Sequence, residues 1–426
     1  MQLSCGGARL VAVLMLGLVG TANADNQGDH AKAPAPATAP LEPPAAAPTP
    51  IPDSEPAPAS VSTRAIDAHV GMDFGAYADS DHVFVFTPSI FGHLENPTAG
   101  WSVDASYLVD VVSAASVDIV STASQNYKEV RQAGTLGATY KPRDFGGSVN
   151  GSISREPDYL SLSGGGSLSL DLYDKNVTLF LGFNHEYDIA GRTDTPYSIF
   201  SRTLNTEAPK AGVTLVLDRR TIGSFVADTI FENGDPSKPY RYVPLFAPGT
   251  DVPNGASVSL VNSLRVAARP LEQLPLSRQR YAGSFRLAHR TKTKATFRLD
   301  ERLYTDSWEL HATTTDARYL QDLGSRFEVG PHLRFHAQTE VNFWERAYTL
   351  GPGFAIPALR TGDRELGPLV GATGGFSVRW KLGPPANRRA WMLGLDVNVT
   401  ETHYLDDIYI TDRVSAVSSL SLEADL

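Results

Sequence analysis

From about residue 64 to the end, apolar and polar residues alternate along the chain. Leu168, Leu170 and Leu172 alternate with Ser167, Ser169 and Asp171. Val177, Leu179, Leu181 and Phe183 are interleaved with Thr178, Gly182 and Asn184. Leu333, Phe335, Ala337, Val341 and Phe343 share one parity, and Arg334, His336, Gln338, Glu340 and Asn342 the other. Leu393, Leu395, Val397 and Val399 repeat the pattern near the end. A period of two predicts strands with one apolar and one polar face. Many runs exceed the usual ~5–6 residues of a globular strand and approach the ~9–11 that a tilted strand needs to cross a bilayer. Only one short stretch, Val258–Ala268, reads as a helix.

Turn signals between the runs alternate in length. Asp174-Lys175-Asn176 and Thr291–Lys294 are tight. Glu232–Arg280, Ile189–Asn205 and Glu345–Glu365 are long and rich in Pro and Gly. Short turns on one side and long loops on the other are the mark of a transmembrane barrel. The predicted fold is therefore all-β: a single transmembrane antiparallel up-and-down β-barrel of about 16 strands, between roughly 14 and 18. Tyr and Trp at strand ends fit interfacial girdles: Trp101, Tyr107, Tyr140, Tyr187, Tyr304, Trp308, Trp344, Trp380, Trp391 and Tyr404. The chain closes as a strand, with Val414, Ala416, Leu420, Leu422, Ala424 and Leu426 on one face.

The N-terminal residues read differently. Arg9, the apolar stretch Leu10–Val19 and the small-x-small site Ala22-Asn23-Ala24 predict a secretion signal over residues 1–24. Its apolar core of ~10 residues is half of what a membrane span needs. Residues 25–63 alternate Ala and Pro, as in Ala33-Pro34-Ala35-Pro36. Such a segment has nothing to bury and is expected to be a disordered, extended periplasmic linker. The domain plan is thus signal 1–24, linker 25–63 and barrel 64–426.

Composition agrees. The 426 residues carry Lys+Arg 37 against Asp+Glu 47, a formal net charge of -10, with 42% hydrophobic residues. A mean hydropathy of -0.17 suits strands whose two faces average out. The acid excess argues against a nucleic-acid partner. The one cysteine, Cys5, lies inside the predicted signal, so a cleaved chain has no disulfide or thiol chemistry.

The polar faces carry the candidate chemistry. Arg286, Arg290, Arg298, Asp300 and Arg302 share one side of a predicted hairpin, and Arg334, Arg379 and Lys381 lie on polar faces of later strands. Acids occupy earlier strands: Asp104, Asp110, Asp171, Glu186 and Asp228. A charge on the lipid face costs ~2–4 kcal/mol at the midplane, so these side chains belong in the lumen. Two readings stand: opposed basic and acidic walls that orient solutes, or charges that pair and fill the interior. The long loop, with Tyr240, Arg241, Tyr242 and Phe246, is a constriction inside the lumen or a cap over the mouth.

Enzyme signatures are weak. No Gly-x-Ser-x-Gly elbow is present. His403 with Asp406 and Asp407 is a weak acid–His candidate. His332 and His336 lie ~13 Å apart on a strand, too far for one metal. No cofactor, metal or catalytic residue is assigned.

Several segments resemble an uncharacterised family of bacterial outer-membrane barrels, domain of unknown function 3570: Tyr107–Ser124, Glu156–Leu162, Ser237–Pro248, Arg269–Pro275, Arg302–Trp308, Leu359–Gly367 and Tyr409–Arg413. The resemblance runs from about Ile66 to the end and implies an outer-membrane barrel, with no catalytic residues to carry over. The expected location is the outer membrane of a Gram-negative bacterium. The expected partners are outer-membrane lipid, the barrel-assembly machinery, and a periplasmic protein or the cell wall through the linker. The expected function is a pore for small polar or charged solutes, with the long loop gating access. The rivals are a non-transporting receptor or scaffold, a barrel enzyme and a soluble β-sandwich.

Overall fold

A computed structural model describes residues 66–114, 127–383 and 391–426. The predicted signal and linker lie outside these residues. The strands are β1 (Asp67–Asp79), β2 (Phe84–Asn96), β3 (Trp101–Ala114), β4 (Tyr127–Tyr140), β5 (Phe145–Glu156), β6 (Tyr159–Leu172), β7 (Val177–Ala190), β8 (Arg202–Asp218) and β9 (Thr221–Gly234). After the two-residue β10 (Leu245–Phe246) and helix α1 (Val258–Leu264) come β11 (Ser277–Arg290), β12 (Ala295–Asp306), β13 (His311–Leu323) and β14 (Phe327–Gln338). The two-residue β15 (Tyr348–Thr349) precedes β16 (Leu369–Leu382), β17 (Trp391–Tyr404) and β18 (Asp412–Asp425).

Every strand except β10 and β15 belongs to one closed antiparallel barrel of sixteen. Each strand pairs with its neighbour in the chain. The ring closes where β1 meets β18, in register from His69↔Asp425 to Asp79↔Ser415. Closure leaves no unpaired edge, as a membrane-spanning sheet requires.

Alternation then fixes two faces. Leu136, Val149, Leu181, Leu303, Leu333 and Phe335 all point outward and lie 56–65% exposed. A continuous apolar exterior is what lipid covers. The outer girdle includes the stacked pair Phe327–Trp380, ring centroids 5.7 Å apart. Four of the predicted girdle aromatics lie elsewhere. Trp308 and Trp344 pack in a buried cluster under the loops, and Tyr304 and Tyr404 point inward. Sequence position placed them at strand ends, but parity and loop packing turned them from the lipid.

Among the described residues, the turns at one end of the barrel are tight. In the β6–β7 turn, Tyr173, Asp174 and Lys175 all have positive φ (52, 53 and 66°). This left-handed path matches the twist of the flanking strands. The long connections share the other end. We call 191–201 loop 4, 235–276 loop 5, 339–368 loop 7 and 405–411 loop 8. Loops 4 and 5 are shorter than the predicted spans, because the strands run further: Glu232 lies within β9, opposite Arg278, and Arg280 within β11, opposite Ile230. Gly234, at φ 138°, turns the chain out of β9, where a Cβ would stand 2.1 Å from the Thr203 carbonyl. Loop 7 is longer than predicted, because β14 stops at Gln338, so Val341 is a buried residue of the loop and not of a strand.

A large share of the buried apolar core sits in these loops. Phe246, Val252, Ala256 and Val261 pack together beneath α1, against Ile408 and Tyr409 of loop 8. Leu274, Trp308, Leu310, Val341 and Leu366 form a second cluster. The parallel bridge β10–β15 joins loop 5 to loop 7, pairing Leu245 with Tyr348. The helix is shorter than predicted; Ser257 caps it, its Oγ accepting from the Leu260 N–H at 3.2 Å.

Candidate functional site

The inner wall is sorted by sector. Strands β11 to β16 carry most of the arginines. Asp300 on β12 accepts from Arg286 Nε at 2.6 Å and from Arg298 Nε at 2.8 Å. Arg302 donates to Asp228 at 3.0 Å and to Ser284 at 3.0 Å. Arg290 pairs with Asp322 at 2.5 Å. Asp316 on β13 accepts from Arg318 at 3.2 Å, and its other oxygen meets His332 at 2.7 Å. Arg334 stands opposite Asp316 in the register, yet no ion pair joins it among the described residues. Arg379 reaches Glu328 only at 4.0 Å, and Lys381 is exposed near the short-turn end.

The acids spread more widely than predicted. Asp104 and Asp110 lie on β3, halfway round the ring from β12. Asp110 pairs with Arg131 at 2.6 Å and accepts from Thr87 at 2.5 Å, while Asp104 meets His93 at 2.5 Å. Asp171 is held by Lys141 at 2.7 Å near the short turns. Glu186 accepts from Ser161 at 2.7 Å near the loops. Asp228 belongs to the arginine sector through Arg302. Most of these charges have a partner close by, and in the ring β3 stands opposite β12.

A third sector has no counterpart in the sequence reading. Ser148 and Ser167, Ser152 and Ser163, and Ser106 and Thr135 form hydroxyl pairs at 2.7, 2.7 and 2.6 Å. The inward positions of β5 from Gly146 to Ser154 carry no charge, nor do those of β6 from Ser161 to Ser169. The signal was visible as serine on the polar parity of β6, but charge is easier to notice than its absence.

Over this interior, loop 5 is pinned by a buried polar network. Glu272, fully buried, accepts from Arg241 at 3.0 Å, from Thr361 Oγ1 at 2.6 Å and from the Lys238 N–H at 3.0 Å. Arg241 also pairs with Asp363 of loop 7 at 2.7 Å. Burial alone would raise the Asp363 carboxyl, but the Arg241 guanidinium outweighs it and holds it below the ordinary carboxylate range. Tyr240 donates to Asp158 at 2.8 Å and accepts from the Thr193 N–H of loop 4 at 2.6 Å. Tyr348 donates to the Phe343 carbonyl at 2.8 Å, and burial pushes its phenol up to about 12. Arg364 of loop 7 pairs with Asp81 at 3.1 Å, and Glu365 holds Arg413 and Tyr404 on the inner wall at 3.1 and 2.8 Å. Burial raises the Asp81 carboxyl above its ordinary value despite Arg364. Of the four predicted loop residues, Tyr240, Arg241 and Phe246 tie the loops together, and Tyr242 is 38% exposed. These contacts set loop 5 at the rim of the long-loop end.

The residues of the His403, Asp406 and Asp407 candidate each have other partners. His403 faces outward and meets Asp412 at 2.7 Å; Asp406 pairs with Arg346, and Asp407 accepts from the Tyr409 N–H at 2.8 Å. His336 meets Thr314 at 2.8 Å. Among the described residues no cluster of His, Cys, Asp and Glu has the makings of a metal site.

A closed antiparallel ring, apolar outside and charged inside, defines the class of transmembrane-type β-barrels. Residues 201–398 match the model of a family described as "Protein of unknown function (DUF3570)", so the resemblance read from the sequence is shown over that span. It includes loops 5 and 7 and the arginine strands. No curated protein matches the chain. Among solved structures, Pseudomonas aeruginosa OccK7 (OpdD) aligns at 10% identity and TM-score 0.41, covering 85% of this chain and 99% of that one. A bacterial polysaccharide outer membrane secretin aligns at 9% and 0.40, covering 84% and 97%. The CymD monoaromatic hydrocarbon channel aligns at 9% and 0.38, covering 84% and 88%.

Proposed function

We propose that this chain is an outer-membrane pore for small polar and charged solutes, with loop 5 setting access at the long-loop mouth. It acts on no bond. The observation that carries this reading is the sorting of charge around the ring, with Arg298 and Arg302 on β12 facing Asp104 and Asp110 on β3. Opposed charge rows create a transverse field that turns a dipolar solute and discriminates between ions. The orientation follows from the turns: tight ones on the periplasmic side, long loops outside. Lipid surrounds the apolar belt, the assembly machinery inserts the barrel, and the Ala/Pro segment reaches a periplasmic protein or the cell wall.

Reversal potentials in a planar bilayer under a KCl gradient test it. Replacing Arg286, Arg298 and Arg302 by Gln should shift preference toward cations; an unchanged reversal potential would remove the field from the mechanism. A second reading, a non-transporting receptor or scaffold, draws support from the pinning of loops 5 and 7 to the rim through Arg364–Asp81 and Glu365–Arg413. Absence of conductance would favour it.

A further inference from the structure

Arg334 is exposed inside the ring and its cross-strand neighbour Asp316 is already engaged. One oxygen of Asp316 takes Arg318 at 3.2 Å and the other meets His332 at 2.7 Å. The partner on the other side, Thr373, is neutral. A guanidinium with no carboxylate of its own is a standing site for a bidentate anion.

What faces it is as telling. β14 and β5 lie halfway round the ring from one another. Both strands begin at the short-turn end, and Arg334 is eighth in β14 as Ser152 is eighth in β5. The two therefore stand at similar depth. Around Ser152 the wall is Ser148, Asn150, Ser163 and Ser167, with no carboxylate to repel an anion. Each serine pair spends one O–H on its neighbour and keeps the other O–H and several lone pairs.

Resting on the pore reading above, we propose that the preferred solutes are small polyhydroxylated carboxylates, that is, sugar acids. The carboxylate pairs with Arg334, and the hydroxyls exchange water for the serine and asparagine wall during passage. A neutral sugar has nothing to give Arg334. A plain fatty carboxylate has nothing to give the serines. A zwitterion is served elsewhere, where β12 faces β3.

The test is current block in a planar bilayer carrying the purified full chain, with gluconate, hexanoate and glucose added on the long-loop side. Gluconate should reduce the KCl current at lower concentration than either comparator. Arg334→Gln should weaken the gluconate effect about tenfold, the worth of one charge-assisted hydrogen bond. The double change Ser152→Ala with Ser163→Ala should weaken gluconate and leave hexanoate where it was. Equal block by gluconate and hexanoate in the unsubstituted chain would overturn the assignment, and that comparison needs no variant to fold. An Arg334→Gln chain with heat-modifiable mobility and undiminished gluconate block would overturn it too. Failure of the pore reading looks different: no current in any salt, which would remove this assignment with it.

Discussion

At the scale of single residues, the buried ion network of loop 5 shows how charge is used here. Arg241 is 7% exposed and serves two carboxylates, Glu272 and Asp363. Arg241→Ala would strand both acids in a dry site. Removing one partner of a buried pair costs roughly 3–5 kcal/mol. The expected outcome is early tryptic cleavage within loops 5 and 7, while the barrel keeps its resistance; cleavage at the unsubstituted rate would show that the network does not hold the loops. The same pair gives a pH dependence. The Asp363 carboxyl is depressed in the folded chain, so its contribution is complete above about pH 4, near the value of a free aspartate. It is lost as pH falls through the depressed folded value. Loop protection should therefore fade in acid, and Asp363→Asn should already lack that component at neutral pH. Arg241 was picked out in the sequence by its place in an aromatic, Pro-rich loop. Its partners were not, because Glu272 and Asp363 lie 31 and 122 positions along the chain and only folding brings them together.

At the scale of elements, alternation did most of the work. A strand flanked by lipid and lumen has one parity for each, so Leu333 and Phe335, which flank Arg334 in sequence, read directly as outward. Leu333→Arg should lower barrel stability by about 2–4 kcal/mol in a urea titration in lipid. Glu301 is the exception on β12. Its parity is outward, between Leu299 and Leu303, and its carboxylate accepts from Thr313 at 2.7 Å and Thr315 at 2.5 Å. Glu301→Leu should therefore raise stability in the same titration; a loss would mean that the threonine contacts outweigh the cost of a charge beside lipid. Loop boundaries were less legible. The β-ladder continues wherever a partner strand offers hydrogen bonds, even when Pro and Gly thin the pattern. Trp308 and Trp344 were misread for the complementary reason: an aromatic beside a strand end packs on a loop whenever the loop folds back over it.

At the scale of the whole molecule, the barrel closes through β1 and β18, so the first and last strands share one continuous ladder. Closure makes unfolding cooperative and should give heat-modifiable mobility in detergent gels. A single band at one position, with and without boiling, would count against a closed barrel. By itself the sequence determined the strand class, a strand number near sixteen, the two faces and the presence of one long aromatic loop. These follow from a period of two and from turn chemistry, both local properties of the chain. Only the tertiary structure decided which strand faces which. Closure sets β14 opposite β5 and β12 opposite β3, and it leaves Arg334 without the Asp316 carboxylate that its register offers. Those relations depend on ring closure and on competition among neighbours for the same oxygens, and neither is written in the order of residues along a strand.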